Sequence, residues 1–223
     1  MEKFPIKIGT RRNVDAWKTT VDADPERILV YDVETTGVTT FDHVTTCAWA
    51  IGGQIKYFTF GDDTSEFEED WRHASGVVTF NGTYFDEKFL KKDLAIQPHP
   101  RHCDLRFFLK AEGRRGGLKK MAAAENMFRP AELNDVDGSF AITIWKYYQE
   151  TGDEEALNQL LAYNIWDVIL TAELFKKFVM PNLSIDLKNP FSINFKKLQI
   201  IKDYWDKPNI MTDTEVHFPT ELT

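Results

Sequence analysis

Two adjacent glycines, Gly52 and Gly53, separate the run His43 to Ile51 (HVTTCAWAI) from the run Gln54 to Phe60 (QIKYFTF). Two residues that tolerate positive φ, set between apolar and β-branched stretches, specify a tight antiparallel hairpin. This feature constrains the fold most, because it commits that region to strands running in opposite directions. Arg27 to Val33 (RILVYDV) reads as a strand just before the hairpin, which makes a three-strand meander. A helix is expected over residues 64–74, with Thr64 or Ser65 as its cap. Gly76 to Phe80 (GVVTF) then reads as a buried strand, followed by a helix through Phe85, Phe89 and Leu90. A meander followed by strand–helix alternation predicts an α/β fold, a mixed sheet with helices packed on it.

From about Leu105 the pattern is helical. Gly116-Gly117 precedes LKKMAAAENM, and Ser139 is the expected cap of a helix carrying Ile142, Trp145 and Tyr148. Gly152 stops that helix, since a glycine past the last turn readily takes the left-handed conformation. Asp153 opens another helix with Leu157, Leu160 and Leu161, and a separate long helix runs through Trp166, Ile169, Leu170, Leu174 and Phe178 to Pro181. A modest helical pattern covers Phe195 to Trp205, followed by a polar tail expected to be disordered. The corresponding organisation is an N-terminal extension (1–26), a main domain (27–181) and a C-terminal extension (182–223).

A chain of 223 residues has room for one domain with a substantial core and a small appendage. No apolar run approaches the roughly 20 residues a membrane helix needs, which predicts no membrane association. The first residues lack the apolar stretch of a secretory signal. Cys47 and Cys103 match no disulfide framework or zinc spacing. Together these predict a reducing, cytoplasmic setting. The charge, 27 basic against 35 acidic residues, gives −8 and argues against a generic polyanion-coating protein. It leaves room for a nucleic-acid enzyme, because carboxylates gathered to hold metal ions also make a chain acidic. The charge is uneven: residues 61–70 hold six acids and no base, whereas residues 101–120 hold seven Lys/Arg against two acids.

Three short motifs carry candidate chemistry. In YDVETTG, Asp32 and Glu34 end an apolar strand, and alternation places both on one face of the sheet. Paired carboxylates near a core are costly unless a cation neutralises them; at a solvated strand end they are ordinary surface acids. Gly37 is expected to allow a tight turn after them. In VVTFNGTYFDEKFL, Asp86 opens a helix beside the same sheet edge, where it is equally a first-turn acid favoured by the helix dipole. In AYNIWDV, Tyr163 and Asp167 lie four apart and share a helix face, where an acid and a phenol on an otherwise apolar helix can simply be a structural hydrogen bond.

Taken together, D-x-E-T-T-G, N-x-x-x-F-D and Y-x-x-x-D, in this order, resemble the three exonuclease motifs of the DEDD superfamily, on the ribonuclease H-like fold. Tyr163 places the resemblance in the DEDDy branch; the histidine branch has its histidine at the position of Ala162 here. The stretches RHCDL, GGLKKMAAAENMF and WKYYQETGDEEALNQLLAYNIWDV are similar to the layout of YprB-type ribonuclease H-like proteins. The resemblance covers roughly Arg27 to Met180. It implies that Asp32, Glu34, Asp86 and Asp167 are metal ligands and that Tyr163 stands beside the attacking water. It also implies 3′→5′ exonucleolytic release of nucleoside 5′-monophosphates from single-stranded DNA or RNA ends.

The chemistry is consistent with those residue types. Two divalent ions about 3.5–4 Å apart stabilise charge on both the attacking and the leaving oxygen of a phosphodiester. Hard oxygen ligands suit Mg²⁺ or Mn²⁺, and no His/Cys cluster invites zinc. A phenol with a pKa of about 10 is a poor base at neutral pH, so Tyr163 is expected to orient water. Arg114, Arg115, Lys119 and Lys120 flank the glycine pair and are either strand-phosphate contacts or a solvated loop. Competing expectations are a structure-selective or endonucleolytic nuclease and a catalytically silent nucleic-acid-binding module. A phosphotransferase using Asp32 as nucleophile fits poorly, because no glycine-rich phosphate loop accompanies it.

Overall fold

A computed structural model describes residues 6–7, 11–22, 24–133, 136–181, 183 and 186–206. The polar tail beyond Asp206 lies outside the described residues. The strands are β1 (Ile6–Lys7), β2 (Ile28–Thr35), β3 (Val44–Ile51), β4 (Gln54–Thr59), β5 (Gly76–Thr79) and β6 (Arg101–Asp104). The helices are α1 (Arg11–Val21), α2 (Ser65–His73), α3 (Asp86–Leu94), α4 (Leu105–Ala111), α5 (Leu118–Ala124), α6 (Gly138–Thr151), α7 (Glu154–Phe178) and α8 (Phe195–Asp206). The strands form one mixed sheet in the order β1-β6-β5-β2-β3-β4. β2, β3 and β4 are the antiparallel meander, while β2, β5, β6 and β1 run parallel. This is the α/β mixed sheet expected from the strand order, and it agrees with the ribonuclease H-like fold that the motif resemblance implies.

The hairpin forms as its glycines dictate, with Ile51 opposite Gln54 and φ of 56° and 73° at Gly52 and Gly53. Alternation along β2 then divides the core. Leu29, Tyr31 and Val33 pack with Phe67 and Trp71 of α2 and with Phe89 and Leu90 of α3. Ile28 and Val30 face the other layer, where Ile165, Val168 and Ile169 of α7 cover the sheet. No described helix is long and apolar enough to cross a membrane. Cys47 and Cys103 are both free and buried.

Several local expectations are corrected. Arg101–Asp104, a stretch with no element expected, is a parallel strand: His102 pairs with Val77 and Cys103 with Val78. A short strand whose side chains include Arg and Asp carries no apolar signature, so only its neighbours reveal it. The two helices expected on either side of Leu161 are one 25-residue helix, α7. Ser139 does not cap α6. The cap is Asp137, whose carboxylate accepts from the Ser139 and Phe140 amides, both at 3.0 Å. At α2 the N-cap residue is Thr64, as expected, but its hydroxyl donates to Glu68 and makes no cap bond; Asp63 accepts from the Ser65 amide at 2.9 Å.

Two segments outside residues 27–181 contribute to the core. Trp17 of α1 is fully buried and meets Phe175 of α7 edge-on, ring centroids 5.2 Å apart. Leu198 and Ile201 of α8 join the cluster between α6 and α7.

Candidate active site

β2 delivers Asp32 and Glu34 at its C-terminal end, on the same face as Ile28 and Val30 and therefore facing α7. On α7, Tyr163 and Asp167 are one helical turn apart, and Asn164 lies between them. Oxygens of Asp32, Glu34 and Asp167 come within 4.8 Å of one another. The convergence of these three follows directly from two periodicities, the strand's and the helix's, once α7 packs across β2.

Asp86 reaches the site differently. Its helix, α3, packs on the opposite face of the sheet. β5 stops pairing with β2 at Val30–Val78, leaving the edge of β2 beyond it open. The Asp86 carboxylate fills that gap in the plane of the sheet, where its Oδ1 accepts from the Val33 amide at 3.0 Å. It is therefore a neighbour of the three-carboxylate group rather than a member of it.

The loop that aims Asp86 is tightly built. Gly82 donates its amide to Thr79 Oγ1 at 3.1 Å, and a Cβ on Gly82 would lie 2.5 Å from that oxygen. Thr79 and Glu87 in turn sandwich His102, each at 2.7 Å from a ring nitrogen. Asp104 holds the Asn81 and Thr83 amides at 2.9 and 3.0 Å. Gly37 plays a related part after Glu34, but not the expected one: its backbone needs no left-handed conformation. Instead, a Cβ there would meet the Asp42 carboxylate at 2.6 Å. Asp42 fastens the loop by accepting from Thr36 Oγ1 and the Thr39 amide.

The electrostatics are those of acids without enough counter-charge. Burial raises the Asp32 carboxyl to about 7, opposed by a hydrogen bond from Asn164 and the charge of Arg129. Glu34 is pushed well above the carboxylate range by burial and then by the Asp32 charge. Asp86 is raised by burial and, next, by the charge of Asp32. Tyr163 is shifted upward by burial and by Glu34, so its phenol is protonated at neutral pH and can donate a hydrogen bond or orient a water. Such a donor set fits a divalent cation: the oxygens are hard, mutually repulsive and close together, and a cation would favour their ionised forms.

Two residues that sequence reasoning missed complete the site. Asn164 is fully buried; its Nδ2 donates to Asp32 Oδ2 at 2.7 Å and to the Asp32 carbonyl at 3.2 Å. Thr46 of β3 donates to Asn164 Oδ1 at 3.2 Å, which fixes the amide's orientation. A polar residue inside an otherwise apolar helix next to Tyr163 was the available signal. Arg129 gave none, since it lies in a loop beyond α5. Its guanidinium forms an ion pair with Asp167 and sits 4.7 Å from the centre of the Tyr163 ring.

The four basic residues expected to contact phosphates are not equivalent. Arg114 is engaged: its Nη1 is 2.5 Å from Glu125 Oε1 and its guanidinium stacks 4.5 Å from the Phe178 ring. Lys119 donates to the Val136 carbonyl. Arg115 and Lys120 are exposed. A cleft of about 720 Å³ runs past Arg114, Arg115, Gly116 and Gly117 to Asn81 and Tyr84, and Arg106 and Lys110 of α4 also line it. Tyr84 is 60% exposed and stacks edge-on with Phe107 at 5.3 Å. The cleft lies by the C-terminal ends of β5 and β6, whose parallel neighbour β2 ends in the acid cluster.

No curated protein matches the chain. Among solved structures, the family B DNA polymerase from the hyperthermophilic archaeon Pyrobaculum calidifontis is similar in fold, with a TM-score of 0.52 and 17% sequence identity. The match covers 67% of this chain and 24% of the polymerase chain. The sequence itself carries the assignment further: a family model of the RNase H superfamily matches residues 29–179, the span that runs from the first strand of the meander to the end of the helix bearing Asp167, and the chain belongs to that superfamily.

Proposed function

We propose that the protein is a metal-dependent 3′→5′ exonuclease of the DEDDy type, acting on single-stranded nucleic-acid ends. The observation that carries this reading is the convergence of Asp32, Glu34 and Asp167 within 4.8 Å at the C-terminal edge of the sheet. Mg²⁺ or Mn²⁺ held by these carboxylates, with Asp86 at the rim, would supply the charge stabilisation that phosphodiester hydrolysis needs, with two ions in the full mechanism. Asn164 fixes Asp32, and Tyr163 offers its protonated phenol to orient the attacking water. Membership of the superfamily and the cleft lined by Arg106, Lys110, Arg114 and Arg115 support a nucleic-acid substrate.

The reading is tested by timed digestion of 5′-labelled and 3′-labelled DNA and RNA oligonucleotides with Mg²⁺ or Mn²⁺. The expected result is a 5′-labelled ladder shortening stepwise, with 3′ label released at once as mononucleotide. Cutting of a circular single strand would instead establish an endonuclease. Binding without any cleavage would establish a silent module.

Substrate grip is expected to depend on this cleft, which Arg106, Arg114 and Arg115 line; Arg106 already donates to Asn81 Oδ1 at 2.7 Å and Arg114 is paired with Glu125. Replacing both Arg106 and Arg115 with alanine should weaken binding of a single-stranded oligonucleotide and flatten its salt dependence. The log–log slope should fall by about 0.7 for each phosphate that the variant no longer neutralises. Fluorescence anisotropy across a salt series measures both affinity and slope. An unchanged slope would move the strand's path away from this cleft.

A further inference from the structure

The side chain of Arg129 is 5% exposed and touches two of the three residues that α7 contributes to the site, Asp167 and Tyr163. Its Nη2 is ion-paired with Asp167 Oδ1, and the guanidinium lies over the Tyr163 ring. Yet Arg129 Nε and Arg129 Nη1 are buried without a hydrogen-bond partner among the described residues. A guanidinium built permanently into a site normally uses its fork, pairing several donors at once. Here two buried donors go unanswered, which carries a free-energy cost. What holds the group is charge: Asp167 directly, with Asp32 and Glu34 close enough for Arg129 to lower their proton affinities. A cation that leaves most of its fork unpaired is replaceable by one of higher charge density, and hard carboxylate oxygens favour a small divalent ion.

We propose that Arg129 is the resident counter-cation of the acid cluster, and that a divalent ion binding at Asp167 must displace its guanidinium. The proposal rests on the metal-binding reading of the cluster. Docking of Arg129 and binding of the ion are then mutually exclusive states of one carboxylate, and each opposes the other by the same coupling free energy. The displaced arginine carries an open fork of donors at the mouth of a site that receives phosphodiesters.

Calorimetric Mn²⁺ titration of the wild-type chain, Arg129→Gln, Arg129→Lys and Glu34→Gln tests this. Removing the competing charge in Arg129→Gln should tighten Mn²⁺ binding by about tenfold, within the usual range of coupling between two sites. Arg129→Lys, which keeps the charge, should stay close to wild type, and Glu34→Gln should weaken binding. Weaker or unchanged Mn²⁺ affinity in Arg129→Gln, with Glu34→Gln still weakened, overturns the role of Arg129 alone and makes it a structural support. Absence of Mn²⁺ binding in wild type and Arg129→Gln alike overturns the metal site and this proposal with it.

Should Arg129→Gln fail to fold, the wild-type chain gives the same answer. Modification of Arg129 by an arginine-specific dicarbonyl, followed by peptide mass spectrometry, should be faster in Mn²⁺ than in EDTA. An equal or slower rate in Mn²⁺ overturns the displacement.

Discussion

Asp32→Asn is expected to lower the rate of phosphodiester cleavage at saturating substrate by about a thousandfold or more. A metal-bound oxyanion is stabilised by several kcal/mol, and each ~1.4 kcal/mol added to the barrier is a factor of ten. Asparagine preserves the shape and still offers an oxygen to the Asn164 amide, which now donates to Asp32 Oδ2 at 2.7 Å. What disappears is the negative charge. The variant should fold at least as well as the wild type, because burial already holds the Asp32 carboxyl up at about 7. Mn²⁺ binding should fall with activity. Tyr163→Phe offers the contrast: it removes a hydroxyl that orients water but carries no charge, so turnover should fall by about a hundredfold, the usual cost of a misplaced reacting group, while Mn²⁺ affinity is retained. Single-turnover kinetics paired with calorimetry separates the two. Full activity in Asp32→Asn would remove the acid cluster from the mechanism, and equal loss of metal binding in both variants would make the tyrosine a ligand.

Trp17→Ala should destabilise the protein by about 3–5 kcal/mol, the range for truncating a large buried aromatic. Trp17 is 0% exposed and joins a core cluster with Val30 and Val78 of the sheet and Phe175 of α7. Its removal would strip one side of the helix that carries Tyr163 and Asp167. Urea unfolding followed by fluorescence and far-ultraviolet dichroism measures the change. A decrease below about 1 kcal/mol, the scale of surface substitutions, would mean that α1 is an appendage. The boundary proposed at residue 27 falls between this tryptophan and the strand it covers, so a chain beginning there should be destabilised to a comparable extent.

Much of the site was legible from residue order. A strand has period two, so Asp32 and Glu34 had to share a face; a helix turns in 3.6 residues, so Tyr163 and Asp167 had to share another. The glycine pair fixed the hairpin, and Gly152 ended α6 with φ of 67°. These are statements about neighbours in the chain, and local geometry suffices for them.

Tertiary packing decided the rest. Asn164 serves Asp32 across 132 residues of sequence, and Asp86 serves the Val33 amide across 53. No spacing rule reports such pairs, because they exist only once α7 lies on one face of β2 and α3 on the other. β6 is a strand because β5 supplies its hydrogen bonds, not because RHCD favours extension. Only folding brought Glu125 and Phe178 to Arg114. Arg129, on a loop without a pattern, became the cation paired with Asp167. The sequence alone determined which residue types share each face; which groups then neutralise one another depends on distances through space, and electrostatic and hydrogen-bond partners are set by those distances.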